Sequence, residues 1–142
     1  MLRVIAGAML ALLVLLAGVQ EAGAVGKRQR AKKLEETQVL FASSVRWGDI
    51  EQAWQLVDPK VREQQPLSEL QLERYRQVQV TGYREGPNAG LPDGRVGRMV
   101  EIGVVNRHTQ AERVVRWREL WRWDEEARRW WASGLPDFWD GQ

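Results

Sequence analysis

Glu112–Trp139 reads ERVVRWRELWRWDEEARRWWASGLPDFW and holds six of the chain's eight tryptophans. Val115, Trp117, Glu119, Trp121 and Trp123 are spaced by two, so one face of an extended strand is aromatic with a lone carboxylate. The opposite face, Val114, Arg116, Arg118, Leu120 and Arg122, is mostly cationic. Rings on one side and charge on the other mark a strand with one face in a core. Asp124–Arg129 then supplies a polar turn, and Trp130–Ser133 restarts as a second strand. The pattern predicts a terminal hairpin on which the domain is built.

Upstream, the period is also two. Val78, Val80 and Gly82 alternate with Gln79, Thr81 and Tyr83 as a first strand, and Arg95–Arg107 is a long second one. Between them Gly86–Gly94 (GPNAGLPDG) is a glycine- and proline-dense connection. His108–Ala111 turns into the tryptophan strand. Charge suggests a register in which Arg107 faces Glu112, Glu101 faces Arg118 and Ile102 faces Trp117. Val100, Ile102 and Val104 then share a face with Val115, Trp117, Glu119 and Trp121.

Before the strands the period is that of helices. Over Ala31–Trp47, Leu34, Gln38, Phe41 and Val45 form one face with Leu40 and Trp47 beside it, and Gly48 is a natural stop. Asp49 caps a second helix with an apolar stripe of Ile50, Ala53, Trp54 and Val57. Asp58-Pro59 ends it and leads into a further turn. Ser68 and Gln71 have capping-box spacing ahead of a short helix whose expected buried residues are Leu70, Leu72 and Tyr75.

The chain has 142 residues, 44% of them hydrophobic, enough for one domain with a packed core once targeting segments are set aside. A formal net charge of +2 gives no broad footprint for nucleic acid. The absence of cysteine excludes disulfides, thiolate metal sites and cysteine nucleophiles, and a single histidine excludes a histidine-rich metal site. No cofactor is expected. The Gly86–Gly94 loop has no lysine and does not join a strand to a helix, so it is not a phosphate cradle.

The first 24 residues have the layout of a signal peptide. Arg3 precedes an uncharged run over Val4–Val19, and Ala22-Gly23-Ala24 offers small residues for cleavage. The run is shorter than the roughly 20 residues that span a bilayer. Valine stands at Val19 where a lipidated cysteine would be needed, so the expected product is non-lipidated and periplasmic or secreted. The alternative is an uncleaved anchor over residues 4–19, favoured by the basic cluster Lys27, Arg28, Arg30, Lys32 and Lys33 just beyond the cleavage site. That basic stretch, 25–33, reads as a solvated helix start or a contact for anionic headgroups. Membrane association is expected only if the segment is uncleaved. The folded domain is then 34–142.

Three helices followed by a meander of long aromatic antiparallel strands resembles the nuclear transport factor 2-like (cystatin-like) superfamily. The ending Trp121-Arg122-Trp123-Asp124, Arg129-Trp130-Trp131 and Gly134–Trp139 is similar to the terminal hairpin of its small exported bacterial members. Phe41–Pro59 (FASSVRWGDIEQAWQLVDP) resembles their helix pair. The resemblance covers Lys32 to Trp139. It implies an α+β fold with N-terminal helices packed on the concave face of a curved four-stranded antiparallel sheet, forming a cone-shaped pocket. It does not imply a function, because the superfamily hosts isomerases, dehydratases, adaptors and pocket proteins.

Tyr83, Glu119, Trp117 and Trp121 are the expected pocket residues. Glu119 among rings would have its pKa raised by desolvation and could carry a proton, with Tyr83 polarising a substrate oxygen. The structural reading is a core glutamate held by an arginine such as Arg98. Tyr75 and Tyr83 either donate to a ligand or simply wet their hydroxyls. His108 sits in a turn without acidic company, and Asp137 reads as a turn residue or a pocket rim. Arg116, Arg118 and Arg122 lie on the face opposite the tryptophans, so guanidiniums and rings cannot form one nucleic-acid platform. The leading expectation is a non-enzymatic pocket or interaction domain for a small apolar ligand or a protein partner. A homodimer through the convex face at Arg116, Arg118 and Leu120 is one form of it. The alternative is a cofactor-free isomerase or dehydratase using Glu119.

Overall fold

The computed structural model describes residues 2–139, with side chains from Gly23 onward. The predicted targeting segment thus falls almost wholly outside the residues whose side chains are described, and the anchor over residues 4–19 falls entirely outside them. Among the described residues no helix is long and apolar enough to cross a membrane. The chain divides into two compact units, Met1–Glu35 and Glu36–Gln142. The sheet lies entirely in the second.

The elements are α1 (Leu2–Arg46), α2 (Ile50–Gln55), α3 (Pro59–Gln64), α4 (Glu69–Arg76), β1 (Val78–Glu85), β2 (Ala89–Gly90), β3 (Val96–Asn106), β4 (Glu112–Asp124) and β5 (Arg129–Ala132). The protein is α+β, with N-terminal helices on a curled antiparallel sheet of order β1-β3-β4-β5, and β2 pairing only with β3.

The helix boundaries follow local chemistry. Gly48 ends α1 at φ 78°, a left-handed position that glycine occupies without a Cβ penalty. Asp49 caps α2 by accepting from the Gln52 N–H, and Asp58 caps α3 by accepting from the Lys60 N–H with Pro59 in the first turn. Ser68 and Gln71 form the reciprocal capping box of α4. Phe41, Val45, Ala53 and Val57 are buried as their spacing requires. Leu70, Leu40 and Trp47 depart from expectation at 73%, 42% and 79% exposure. On α4 it is Leu72 that turns inward, because eight residues supply little more than one inward row. Trp47 follows the last turn of α1 and lies under the Arg46 guanidinium in solvent.

The β3–β4 register differs from the one charge suggested. Val105 faces Glu112, Glu101 faces Arg116, Ile102 faces Val115 and Arg98 faces Glu119. The offset is two residues, so the faces are unchanged and Val100, Ile102 and Val104 still share the buried side with Val115, Glu119 and Trp121. The cause is a longer turn. Asn106 Oδ1 accepts from the N–H groups of His108 and Thr109, while its own N–H donates to Ala111 O at 3.0 Å. Gln110 closes the turn at φ 59°. Arg107 leaves the ladder and donates its N–H to Gln77 O at 2.8 Å.

A second irregularity lies in β1. Val80 faces Val104, yet Gly82 faces Gly103 and Tyr83 faces Ile102, so Thr81 is an extra residue. This bulge reverses the alternation. Tyr83, which strict period two puts on the face opposite Val78, is buried with it.

Candidate functional site

The core centres on Trp121, which is fully buried and meets Phe41 edge-on at 5.4 Å between ring centroids. One strand position away on the same face is Glu119, also buried. Its carboxylate is held from three sides. Arg98, its cross-strand partner, donates from Nε to Oε2 at 2.6 Å and from Nη2 to Oε1 at 3.3 Å. The Trp121 indole N–H donates to Oε2 at 2.9 Å. The Tyr83 hydroxyl, turned inward by the bulge, donates to Oε1. Two bonds reach each oxygen. Burial, and then the neighbouring Glu119 charge, pushes the Tyr83 phenol well above its ordinary range, so it stays a donor at any physiological pH.

Three of the four expected pocket residues, Tyr83, Glu119 and Trp121, therefore meet in one place, but they fill it. The arrangement matches the core-glutamate reading, including the partner Arg98. A carboxylate already accepting four hydrogen bonds has no open acceptor site to offer a substrate.

The open space is elsewhere. A groove of about 470 Å³ runs between the helices and the end of the sheet, with neither Glu119 nor Tyr83 on its wall. Trp54 from α2, Tyr75 and Arg74 from α4, Trp117 from β4, and Asp137 and Trp139 from the C-terminal segment line it. Trp117 is the one expected pocket residue found there. It shares the strand face of Glu119, two residues before it, and lies opposite Val100.

The C-terminal segment is fastened over α4. Tyr75 donates its hydroxyl to Pro136 O at 2.7 Å and packs edge-on against Phe138 and Trp139 at 5.5 and 5.0 Å. The Arg74 guanidinium stacks over the Trp139 ring at 4.3 Å. Asp137 accepts from the Trp139 N–H at 2.8 Å, so it is both the turn residue and the rim residue of the two sequence readings. Burial first, and the Asp137 charge second, raises the Tyr75 phenol above its ordinary range.

Trp54, Arg74 and Trp139 are the groove residues the sequence did not single out. Trp54 reads as one member of a helical stripe, and Trp139 as the end of a hairpin. Their meeting depends on the chain returning from β5 to α4, for which no local pattern exists.

The remaining candidates are peripheral. His108 lies exposed in the β3–β4 turn. Arg116 is exposed, Leu120 half-buried, and exposed Arg118 lies along Gly97. Arg122 turns instead to Asp58, donating from Nε to Oδ2 at 2.7 Å and so tying the α3 cap to β4. Among the described residues no group of acidic or histidine side chains could hold a metal ion. No protein family, curated protein or solved structure matches this chain.

Proposed function

We propose that this chain is an exported, non-enzymatic binding domain of the nuclear transport factor 2-like type, and that its ligand site is the aromatic groove. The observation that carries the reading is a division of labour. The carboxylate that could do chemistry is saturated in the core. The groove beside it is open and lined by aromatic rings, with Asp137 at its rim. Concave sites lined by aromatic residues with a few polar groups are the usual form of ligand sites. Export rests on the signal-like start and the small residues at Ala22-Gly23-Ala24.

Native mass spectrometry of the protein purified from its own host tests the groove. A bound mass is expected in the parent protein and lost in Trp117→Ala, with circular dichroism checking that the variant is folded. A mass retained by that variant refutes the site. N-terminal sequencing of the same sample tests export: a mature chain starting at Val25 is expected, and an intact Met1 on a membrane fraction replaces it with the anchor. A convex-face dimer through Arg116, Arg118 and Leu120 would show in sedimentation at micromolar concentration, and a strict monomer removes it.

A further inference from the structure

The tryptophans of this chain fall into two sets by what their indole N–H groups meet. Trp121, Trp123 and Trp131 each donate to a carboxylate, Glu119 at 2.9 Å, Glu125 at 2.7 Å and Asp124 at 3.0 Å. Trp54, Trp117 and Trp139 donate to nothing among the described residues, and all three line the groove. They are half-buried, yet among the described residues no buried side-chain polar atom lacks a partner, so each of these N–H groups reaches solvent. Gln71 adds a fourth donor. Its amide oxygen is spent on Ser68, which leaves its NH₂ to donate. Acceptors are scarcer: beyond Gln71 and Tyr75, the side-chain oxygens on the wall are those of Gln65, Ser133 and Asp137, and one oxygen of Asp137 already takes the backbone N–H of Trp139. The two charges on the wall, Arg74 and Asp137, are opposite in sign and act on the same Tyr75 hydroxyl.

A ligand suited to this wall is neutral, has flat apolar faces for the rings, and offers acceptors without bringing donors. From these donors and rings we propose that the groove binds a proline-rich segment of a partner polypeptide in the polyproline II conformation. In that helix the backbone carbonyls make no internal hydrogen bonds and point outward, three residues per turn. Proline lacks an N–H, so the segment is acceptor-only, and its pyrrolidine rings pack on aromatic faces. A saccharide fits less well, because each hydroxyl brings a donor that needs an acceptor. The inference rests on the groove being the ligand site.

The test is a titration of the ¹⁵N-labelled full chain, as its host processes it, with an end-blocked deca-proline peptide. Three of the eight indole N–H signals, those of Trp54, Trp117 and Trp139, are expected to shift, and those of Trp121, Trp123 and Trp131 to stay. Trp117→Phe keeps a ring and removes the donor, and is expected to weaken binding about fivefold. A glycine-serine peptide of equal length should move nothing. The inference fails if the groove indoles are unmoved at about 5 mM peptide, a concentration that detects millimolar affinity. It fails equally if a neutral oligosaccharide moves them and the peptide does not, or if Trp117→Phe binds as tightly as the parent. In either of the first two cases a host-derived mass in the groove would leave the binding reading standing and remove only the ligand class.

Discussion

Glu119→Gln is the perturbation that separates a core carboxylate from a reactive one. The substitution keeps the shape and removes the charge. Arg98, whose side chain is 9% exposed, is then left facing a neutral amide. The new NH₂ must also point at one of three donors, Tyr83, Arg98 or Trp121, none of which can accept from it in its present role. Breaking one partner of a buried ion pair costs about 3–5 kcal/mol, whereas an exposed pair contributes about 1 kcal/mol or less. For a unit of about one hundred residues, such a loss lowers the melting temperature by roughly 12–25 °C.

Denaturant unfolding followed by tryptophan fluorescence reads the loss directly, and the cycle with Arg98→Met isolates the pair. Arg98→Met alone orphans the carboxylate and is expected to cost a similar amount. The double variant removes both charges and should recover about 2 kcal/mol or more relative to the sum. A loss below about 1 kcal/mol for Glu119→Gln, or additive single variants, refutes the reasoning.

Three further outcomes follow from the same structure. Both tyrosines have phenols raised by burial, then by Glu119 or Asp137. The unfolded chain therefore loses these protons first, and stability should hold below pH ~10 and fall above it by up to about 1.4 kcal/mol per pH unit per tyrosine. Difference absorption showing tyrosinate in the still-folded protein at that pH contradicts this. At Asp58, burial pushes the carboxyl up, but the Arg122 guanidinium and the Lys60 N–H outweigh it and hold it below the ordinary range. Asp58→Asn should cost about 1–2 kcal/mol at neutral pH, since Arg122 is 39% exposed and partly screened. The deficit should vanish as pH falls through the native carboxyl's titration, and a deficit that persists in acid assigns it to packing. Gly86→Ala would put a Cβ 2.8 Å from the Met99 carbonyl, the acceptor of the Gly86 N–H. It should cost about 1–3 kcal/mol, measured by the same unfolding, and a neutral result would show that β1 and β3 part easily there.

The helices and the tryptophan strand were legible because each is set by neighbours in sequence. The Ser68–Gln71 box, the Asp49 cap, the Gly48 stop and the period-two rings of β4 all act within a few residues. Register was less so. Charge allowed two pairings with the same faces: one sets Arg107 against Glu112 and Glu101 against Arg118, the other Glu101 against Arg116 and Arg98 against Glu119. Burial breaks the tie. In the first, Glu119 would lie opposite Val100 with no counter-charge. In the second its partner stands opposite, and desolvating an unpaired carboxylate costs far more than losing one surface pair.

The site was legible in parts for the same reason. Tyr83 could be placed beside Glu119 only by knowing that Thr81 is an extra residue, and Gly82, which bounds the bulge, reads in the sequence as one more alternating strand position. The crowding at Gly103 is what accompanies it: a Cβ there would stand 2.6 Å from Thr81 Oγ1. The mid-strand glycines Gly82 and Gly103, paired across the two strands at the bulge, are thus the traces it leaves in the sequence. The groove leaves less. Trp54, Trp117 and Trp139 look like core residues in a one-dimensional pattern, and their partial exposure and lack of indole acceptors separate them from Trp121. That difference is a property of the closed fold. A carboxylate two positions before Trp121 satisfies its N–H, but Val115, two positions before Trp117, cannot satisfy its N–H. On a single strand face, the position of Glu119 thus decides which indole N–H is satisfied in the core and which is left to the groove.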